Sequence, residues 1–227
     1  IHQINIGYER VDIENVSDNI VMIKTVIFDM GGVIITLNHD EAVKRFSALG
    51  LQKADEVLDP YCQAGIFGDL EEGKLSLEEY QEALEKMVGR KLSFEEVRHC
   101  WLGYAADVPA NKLAALRKLK EEGYRVILLS NTNPYMSSWT DSTEFSGDGH
   151  AIGEYFDALY RSYEVKLVKP DDRFFRYVLT QEKILPEDAL FVDDGPRNCA
   201  AASELGIRTY CPQNGADWTE EIYKFLK

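Results

Sequence analysis

Short apolar runs alternate with amphipathic segments along most of the chain. The apolar runs predict strands at residues 23–28, 126–130, 158–161, 189–192 and 207–211. Apolar residues at helical spacing predict helices between them, at residues 110–122, 171–181 and 196–205. Because strands and helices alternate, we predict an α/β fold in which helices cover both faces of a parallel sheet.

One long segment departs from this alternation. Between the first predicted strand and residue 110 only helical patterns occur, at residues 41–49, 53–64, 76–88 and 93–104. Ser76 with Glu79, and Ser93 with Glu96, have the spacing of capping boxes at helix starts. We therefore predict a sheet core of residues 23–37 and 106–227, into which residues 38–105 insert as a helical cap. A cap at this place would cover the strand ends, where it could exclude water and select the substrate.

Residues 1–22 precede the first predicted strand and form an N-terminal extension with no assigned role. Weak alternation of apolar residues between Ile4 and Ile13 could form a strand. Residues 1–19 lack the basic start and apolar run of a signal peptide. Since the chain begins with Ile1 rather than methionine, we expect that a preceding piece is missing or was removed.

The charge balance narrows the class of partner. The chain has 25 basic and 39 acidic residues, a net charge of −14, which disfavours nucleic acid and anionic membranes as partners. No stretch reaches the roughly 18 apolar residues of a membrane span. The cysteines form no CxxC pair or metal-ligand spacing, which predicts reduced thiols and a cytoplasmic location; they are Cys62, Cys100, Cys199 and Cys211.

Polar residues follow two of the predicted strands at the point where each ends. Asp29 follows the first strand, just before Gly31 and Gly32. Ligands of open α/β sheets bind beyond the carboxyl ends of the strands, so Asp29 is well placed as a nucleophile, although an aspartate there could also simply form a turn. Ser130 and Asn131 end the second strand, where a hydroxyl and backbone donors suit phosphate or carboxylate oxygens.

Two further segments add charge of both signs. Lys169 stands in a loop, before a proline that opens a helix, and could be a plain surface lysine. Asp193 and Asp194 follow the buried fourth strand. Adjacent carboxylates at such a place stay ionised together only beside a cation or strong donors, and Mg²⁺ is an ion that prefers oxygen ligands.

This ordered set of motifs resembles the haloacid dehalogenase superfamily, and specifically its phosphatase branch, which has a Rossmann-like core and a helical cap. The Ser-Asn-Thr-Asn run that starts at Ser130 and the cap residues 68–74 are similar to bacterial sugar-phosphate phosphatases, including α-glucose-1-phosphate phosphatases. The resemblance implies Mg²⁺-dependent hydrolysis of a small phosphorylated metabolite, through an aspartyl-phosphate formed on Asp29. It makes no prediction of the oligomeric state.

The resemblance also implies a role for each motif residue. Mg²⁺ would be held by Asp29, the backbone carbonyl of Gly31 and Asp194, with Asp193 assisting. Ser130 and the Asn131 amide would bind phosphoryl oxygens. Lys169 would neutralise charge on Asp29 and on the phosphoryl group, so that an acidic protein could accept an anion.

Two positions depart from the family pattern. Gly31 stands where most phosphatases of the superfamily carry a second aspartate as general acid and base, a function worth roughly 10²–10⁴-fold in rate. Either the leaving group needs little protonation, as in an anomeric sugar phosphate, or another group such as His39 or Asp40 supplies the proton. The similar sugar-phosphate phosphatases also tend to carry glycine here, which favours the first explanation. Lys166 replaces a glycine that often stands three residues before the lysine.

Two alternative functions have support in the sequence. A metal-independent 2-haloacid dehalogenase would also lack the second aspartate, but its site would have no cation to balance Asp193 and Asp194. A catalytically impaired protein that binds a phosphorylated metabolite is supported only by Gly31. Trp101 and Tyr104, in the predicted cap, are interpreted as packing residues in preference to substrate contacts.

Overall fold

A five-stranded parallel sheet forms the centre of the computed structural model, which describes residues 22–59 and 63–227. The strands are β1 (Thr25–Phe28), β2 (Thr36–Leu37), β3 (Ala105–Asp107), β4 (Arg125–Ser130), β5 (Ala158–Arg161), β6 (Ala189–Val192) and β7 (Arg208–Tyr210). The central sheet has the order β5-β4-β1-β6-β7, and all its neighbours pair in parallel. The predicted α/β fold and its five strands are therefore confirmed.

Helices flank this sheet and fill the segment between β2 and β3. They are α1 (His39–Leu49), α2 (Ala54–Val57), α3 (Gly65–Glu71), α4 (Leu77–Val88), α5 (Phe94–Trp101), α6 (Ala110–Glu121), α7 (Pro134–Thr140), α8 (Ser162–Val165), α9 (Asp172–Glu182) and α10 (Pro196–Glu204). Short 3₁₀ turns lie at Leu102–Tyr104, Ile152–Glu154, Pro186–Asp188 and Glu221–Lys224. The predicted capping boxes at Ser76 and Ser93 are both present.

Two local predictions are wrong, and one helix was not predicted. Among the described residues of the helix predicted at 53–64, only the single turn α2 is helical, and it ends at the extended Leu58. The reason lies in Pro60, because a proline disfavours helical backbone at the residue before it. The segment predicted to hold only helices also contains β2 and β3, which pair antiparallel. Helix α7 was not predicted, although Asn133 caps it by accepting hydrogen bonds from Tyr135 and Met136 N–H.

The apolar core lies on both faces of the sheet. Successive side chains of a strand point to opposite faces, so Phe28 packs on one face and Ile27 on the other. Helix α6 covers the first face with Leu113, Leu116 and Leu119. Helices α9 and α10 cover the second face. The central strands β1 and β6 are buried throughout, which explains their continuous apolar sequence.

A separate apolar cluster, here called the cap cluster, holds the helices between β2 and β3 together. Its aromatic centre contains Phe46, Phe67 and Trp101, whose rings lie 5.4–5.8 Å apart. Tyr135 and Met136 of α7, which follow β4, are also part of this cluster. The cap cluster therefore rests directly on residues next to the strand ends. The division at residues 38 and 105 stays a prediction.

The turn after β1 is held from two sides. The Val33 carbonyl accepts a hydrogen bond from Lys112 Nζ at 2.7 Å and another from Trp218 Nε1 at 2.9 Å. Lys112 is almost fully buried, and burial lowers the pKa of its ammonium group. Two donors on one carbonyl fix the backbone that follows Asp29.

No helix within the described residues is long and apolar enough to cross a membrane. Cys100, Cys199 and Cys211 are free thiols. Residues 1–21, including the apolar alternation near Ile4, and residue Cys62 lie outside the described residues.

Candidate active site

The carboxyl ends of three neighbouring strands bring the predicted residues together. Asp29 follows β1, Ser130 ends β4, and Asp193 follows β6. Because β1 pairs in parallel with both β4 and β6, these residues lie at one edge of the sheet. Lys169, from the loop between α8 and α9, reaches the same place. The strand ends and this loop therefore bring the acidic residues and Lys169 together in one charged cluster.

Lys169 links two of the carboxylates. Its Nζ lies 2.9 Å from Asp29 Oδ1 and 2.6 Å from Asp193 Oδ2, and its side chain is 1 % exposed. Burial alone would lower the pKa of Lys169, but the carboxylates of Asp193 and Asp29 raise it above the ordinary value. Lys169 is therefore a buried ammonium ion, not a surface lysine.

The two aspartates after β6 differ in their hydrogen bonds. Asp193 is fully buried and accepts hydrogen bonds from Gly195 N–H at 2.7 Å and from the Asn198 side chain at 3.0 Å. Asp194 Oδ2 is also buried, but it has no hydrogen-bond partner among the described residues. Burial, and then the charge of Asp193, raises the pKa of Asp194 to about 6. An unpaired buried carboxylate oxygen is a ready ligand for a cation.

The three carboxylates could hold a divalent ion. Asp29, Asp193 and Asp194 each offer an oxygen within 4.8 Å of the others. Burial raises the pKa of Asp29 well above its ordinary value, Lys169 opposes this effect, and the other two carboxylates add to it. The cluster thus carries more negative charge than Lys169 balances, and an oxygen-preferring cation such as Mg²⁺ fits it.

Gly32 makes room for this arrangement. Its backbone has a φ of +75°, and an added Cβ would lie 2.0 Å from Asp194 Oδ2. Gly31 differs, because an added Cβ would meet only the Leu37 side chain, at 3.2 Å. A side chain is therefore excluded at Gly32 but not at Gly31, and the proposed carbonyl ligand of Gly31 stays a prediction.

The loop after β4 presents polar atoms beside the cluster. Ser130 is buried, and its hydroxyl donates to the Asn131 carbonyl at 3.3 Å. Thr132 Oγ1 and Asn133 Nδ2 are buried and make no hydrogen bond to any residue that the structure describes. Buried polar atoms without partners at the edge of a cavity are typical of a site that receives a polar ligand.

Asn131 positions Lys169 with its side chain. Its Nδ2 donates to the Lys169 carbonyl at 2.9 Å, and the Lys169 N–H donates to its Oδ1 at 2.8 Å. Both polar atoms of the side chain therefore bind the main chain of Lys169. The sequence did not predict this positioning role.

Replacing Asn131 with alanine should destabilise the fold, since two hydrogen bonds to a buried loop are lost. We expect the free energy of unfolding to fall by ~1–3 kcal/mol, measured by urea denaturation. Asn111→Ala is the matched control, because Asn111 is exposed and its side chain donates to Asp217 at the surface; its effect should stay within ~0.5 kcal/mol. Equal effects of the two variants would contradict the positioning role.

A cavity of about 90 Å³ lies next to the cluster. One wall is made of strand-end residues: Met30, Gly31, Leu37, Asn131, Thr132, Asn133 and Met136. The other lining residues come from the segment between β2 and β3: Gln63, Glu71, Trp101 and Tyr104. Trp101 and Tyr104 thus line the cavity in addition to packing in the cap cluster, so their interpretation as packing residues alone was incomplete.

Glu71 is the site residue that sequence reasoning missed. It ends α3, is half-buried and faces the cavity. Burial raises the pKa of its carboxyl to about 8, against smaller opposing effects of the Asn133 side chain and Lys169. The Asn133 contact is not a full hydrogen bond, since Asn133 Nδ2 lacks a partner at good distance and angle. Glu71 lies within residues 68–74, which resemble the caps of sugar-phosphate phosphatases, but no chemistry was assigned to it.

The other predicted candidates do not line the cavity. Asp40 is fully exposed. His39 has Nε2 3.1 Å from the Leu58 carbonyl, and it is not among the residues that line the cavity. Lys166 has a positive φ of 61° at the end of α8 and lines a different surface pocket.

Comparison with known proteins places these residues in a family context. A family model described as haloacid dehalogenase-like hydrolase matches residues 23–206. A D-ribitol-5-phosphate phosphatase of Bacteroides thetaiotaomicron is 45 % identical over 205 residues, which cover 90 % of this chain and 99 % of that protein.

Two solved structures are also similar. A predicted haloacid dehalogenase-like hydrolase from Porphyromonas gingivalis has a TM-score of 0.86 and 38 % identity, covering 91 % of this chain and 98 % of that one. A haloacid dehalogenase family enzyme of Bacteroides thetaiotaomicron, solved with magnesium and inorganic phosphate, has a TM-score of 0.81 and 35 % identity, covering 88 % and 98 %.

Proposed function

The chain belongs to the haloacid dehalogenase-like hydrolases, and from this membership we propose that it is a Mg²⁺-dependent phosphatase of a small phosphorylated sugar or polyol. The observation that carries the proposal is the buried cluster in which Lys169 links Asp29 and Asp193 beside the unpaired Asp194 oxygen. A phosphate dianion needs local positive charge in an acidic protein, and Lys169 together with a cation held by these carboxylates would supply it. Free thiols in this chain support a cytoplasmic location.

Asp29 is the proposed nucleophile. Its Oδ1 accepts a hydrogen bond from Met30 N–H at 2.7 Å and contacts Lys169, so the carboxylate is fixed in orientation. Attack of Asp29 on phosphorus, in line with the departing oxygen, would give an aspartyl-phosphate that water then hydrolyses. Lys169, the Ser130 hydroxyl and the Asn131 main-chain N–H would hold the phosphoryl oxygens.

The site offers a set of oxygen ligands for the cation. Asp29, Asp194 and the main-chain carbonyl of Gly31 would hold Mg²⁺, with Asp193 assisting. When bound, the ion would neutralise these carboxylates and the phosphoryl oxygens. Magnesium and phosphate in the similar Bacteroides thetaiotaomicron structure support this assignment.

We propose a pentitol phosphate as the substrate class. The phosphatase that is 45 % identical acts, by its name, on D-ribitol-5-phosphate. In this compound the phosphate is on a primary alcohol, which is a poor leaving group without a proton. The cavity suits a short hydroxylated chain, because polar Gln63 and Glu71 stand beside the rings of Trp101 and Tyr104. An anomeric sugar phosphate, which Gly31 favours, is the second substrate class to test.

Release of phosphate from D-ribitol-5-phosphate and a panel of sugar phosphates, with Mg²⁺ or with EDTA, tests the proposal. We expect release that requires Mg²⁺ and is fastest for a pentitol or sugar phosphate. Chloride release from 2-chloropropionate without metal would instead indicate a dehalogenase. Binding of the phosphorylated compounds without turnover would indicate a catalytically impaired binding protein.

A further inference from the structure

We propose that Glu71 is the general acid of this phosphatase, delivering a proton from the cap side to the leaving oxygen in place of the aspartate that Gly31 lacks. The proposal rests on the phosphatase function proposed above and adds a catalytic residue to it. It replaces His39 and Asp40 as the candidate proton source.

The cavity places Glu71 where the leaving group has to be. An in-line displacement sets the departing oxygen on the far side of phosphorus from Asp29. Met30 and Gly31, which follow Asp29 directly, line the cavity, and Glu71 at the end of α3 lines the same cavity. Gly31 offers no acidic side chain, and among the described residues that line the cavity Glu71 is the acidic one.

Asn133 is oriented toward this carboxyl by its other contacts. Asn133 Oδ1 accepts hydrogen bonds from Tyr135 and Met136 N–H, both at 3.1 Å. The amide nitrogen is therefore directed away from the helix start and toward Glu71. Since Asn133 is fully buried and its nitrogen has no good partner among the described residues, it can follow the Glu71 carboxyl in either protonation state.

The groups around Glu71 are compatible with an acid that works near neutral pH. Lys169, Tyr80 and Tyr104 are the titratable groups that interact with it electrostatically. Burial raises the pKa of both tyrosines far above neutrality, so neither competes for the proton. With a pKa of about 8, Glu71 holds its proton at pH 7 and can regain one after it has given it up.

Over the two reaction steps, Glu71 gives up one proton and regains one. In the first step an Asp29 oxygen bonds to phosphorus, the bond from phosphorus to the alcohol oxygen breaks, and the Glu71 proton passes to that oxygen. In the second step water attacks phosphorus and gives a proton to the Glu71 carboxylate. The bond from phosphorus to Asp29 then breaks, phosphate leaves, and both side chains return to their starting states.

Two leaving groups separate a proton donor from a residue that merely shapes the cavity. Single-turnover release of ribitol from D-ribitol-5-phosphate, and of nitrophenolate from p-nitrophenyl phosphate, is measured by rapid quench with enzyme in excess and Mg²⁺ present. Glu71→Gln should slow ribitol release at least about 100-fold, and nitrophenolate release, which needs no proton, less than about 5-fold. Circular dichroism confirms that the variant is folded.

Glu72→Gln is the matched control, because Glu72 is the next residue, forms an ion pair with Lys74 and does not line the cavity. It should change neither rate. Gly31→Asp, added to Glu71→Gln, should recover part of the ribitol release, since a side chain at this position extends toward Leu37 at the cavity wall.

The pH profile gives an independent readout. Glu71 is active as an acid below its pKa of about 8, so the wild-type rate of ribitol release should fall as the pH rises through that value. The variant Glu71→Gln should lack this fall. The nitrophenolate rate should show no such fall in either protein.

The outcomes distinguish this proposal from the function on which it rests. Equal slowing of both leaving groups by Glu71→Gln, or an unchanged alkaline fall, would overturn the role of Glu71 and leave the phosphatase intact. No Mg²⁺-dependent release from either compound by the wild-type protein would overturn the phosphatase function, and with it the role of Glu71.

Discussion

Replacing Asp29 with asparagine is expected to lower Mg²⁺-dependent phosphate release at least about 10⁵-fold, the size of loss seen when an enzyme's nucleophile is removed. Asparagine has nearly the same shape but cannot form the aspartyl-phosphate. The Lys169 ammonium would still be paired with Asp193 at 2.6 Å, so the fold should persist. The measurement is initial-rate phosphate release, with circular dichroism as the check on folding.

Asp188→Asn is the matched control for this substitution. Asp188 lies before β6, at the opposite end of the strand from Asp193, and pairs with the exposed Lys24 at 2.8 Å. Removing its charge should leave phosphate release unchanged. Substantial turnover by the Asp29→Asn protein would rule out Asp29 as the nucleophile.

Replacing Gly32 with alanine should have the next largest effect. The new Cβ would lie 2.0 Å from Asp194 Oδ2, on a backbone with φ of +75°, so the carboxylate or the turn must move. Since Asp194 is a proposed ligand, Mg²⁺ affinity should fall at least about 10-fold, measured by titration calorimetry. Turnover at fixed Mg²⁺ should fall at least about 10³-fold, because a bound metal contributes several kcal/mol of charge stabilisation.

Gly31→Ala provides the comparison for Gly32→Ala. It adds the same methyl group one residue earlier, where the neighbour is the flexible Leu37 side chain at 3.2 Å. Its Mg²⁺ affinity should stay close to that of the wild-type protein. If the two variants bind Mg²⁺ equally well, Asp194 is not the ligand that the geometry indicates.

The sheet and its strand-end residues could be predicted because buried strands consist of apolar residues, which are recognisable in the sequence. Strands β1 and β6 are buried throughout, so each appears as an uninterrupted apolar run. The polar residue after each run then lies at the carboxyl end of a strand, and parallel pairing brings Asp29 and Asp193 to the same edge. Local pattern and topology together were sufficient for this part of the site.

The cap wall of the cavity could not be predicted in the same way. Glu71 reaches the cavity because Phe67 and Leu70 of α3 are buried in the cap cluster, and that packing depends on residues distant in sequence. The positioning role of Asn131 likewise depends on where the Lys169 loop comes to lie. A helical pattern identifies a buried face, but not the neighbour against which it packs.

Tyr135 and Met136 belong to α7 yet lie within the cap cluster. An outward swing of the helices between β2 and β3 would therefore have to withdraw these two side chains from their neighbours, or else take α7 along. Asn133 caps the start of α7, at the end of the loop that would bind the phosphoryl group. Any such swing would therefore also act, through this short helix, on the loop at the carboxyl end of β4.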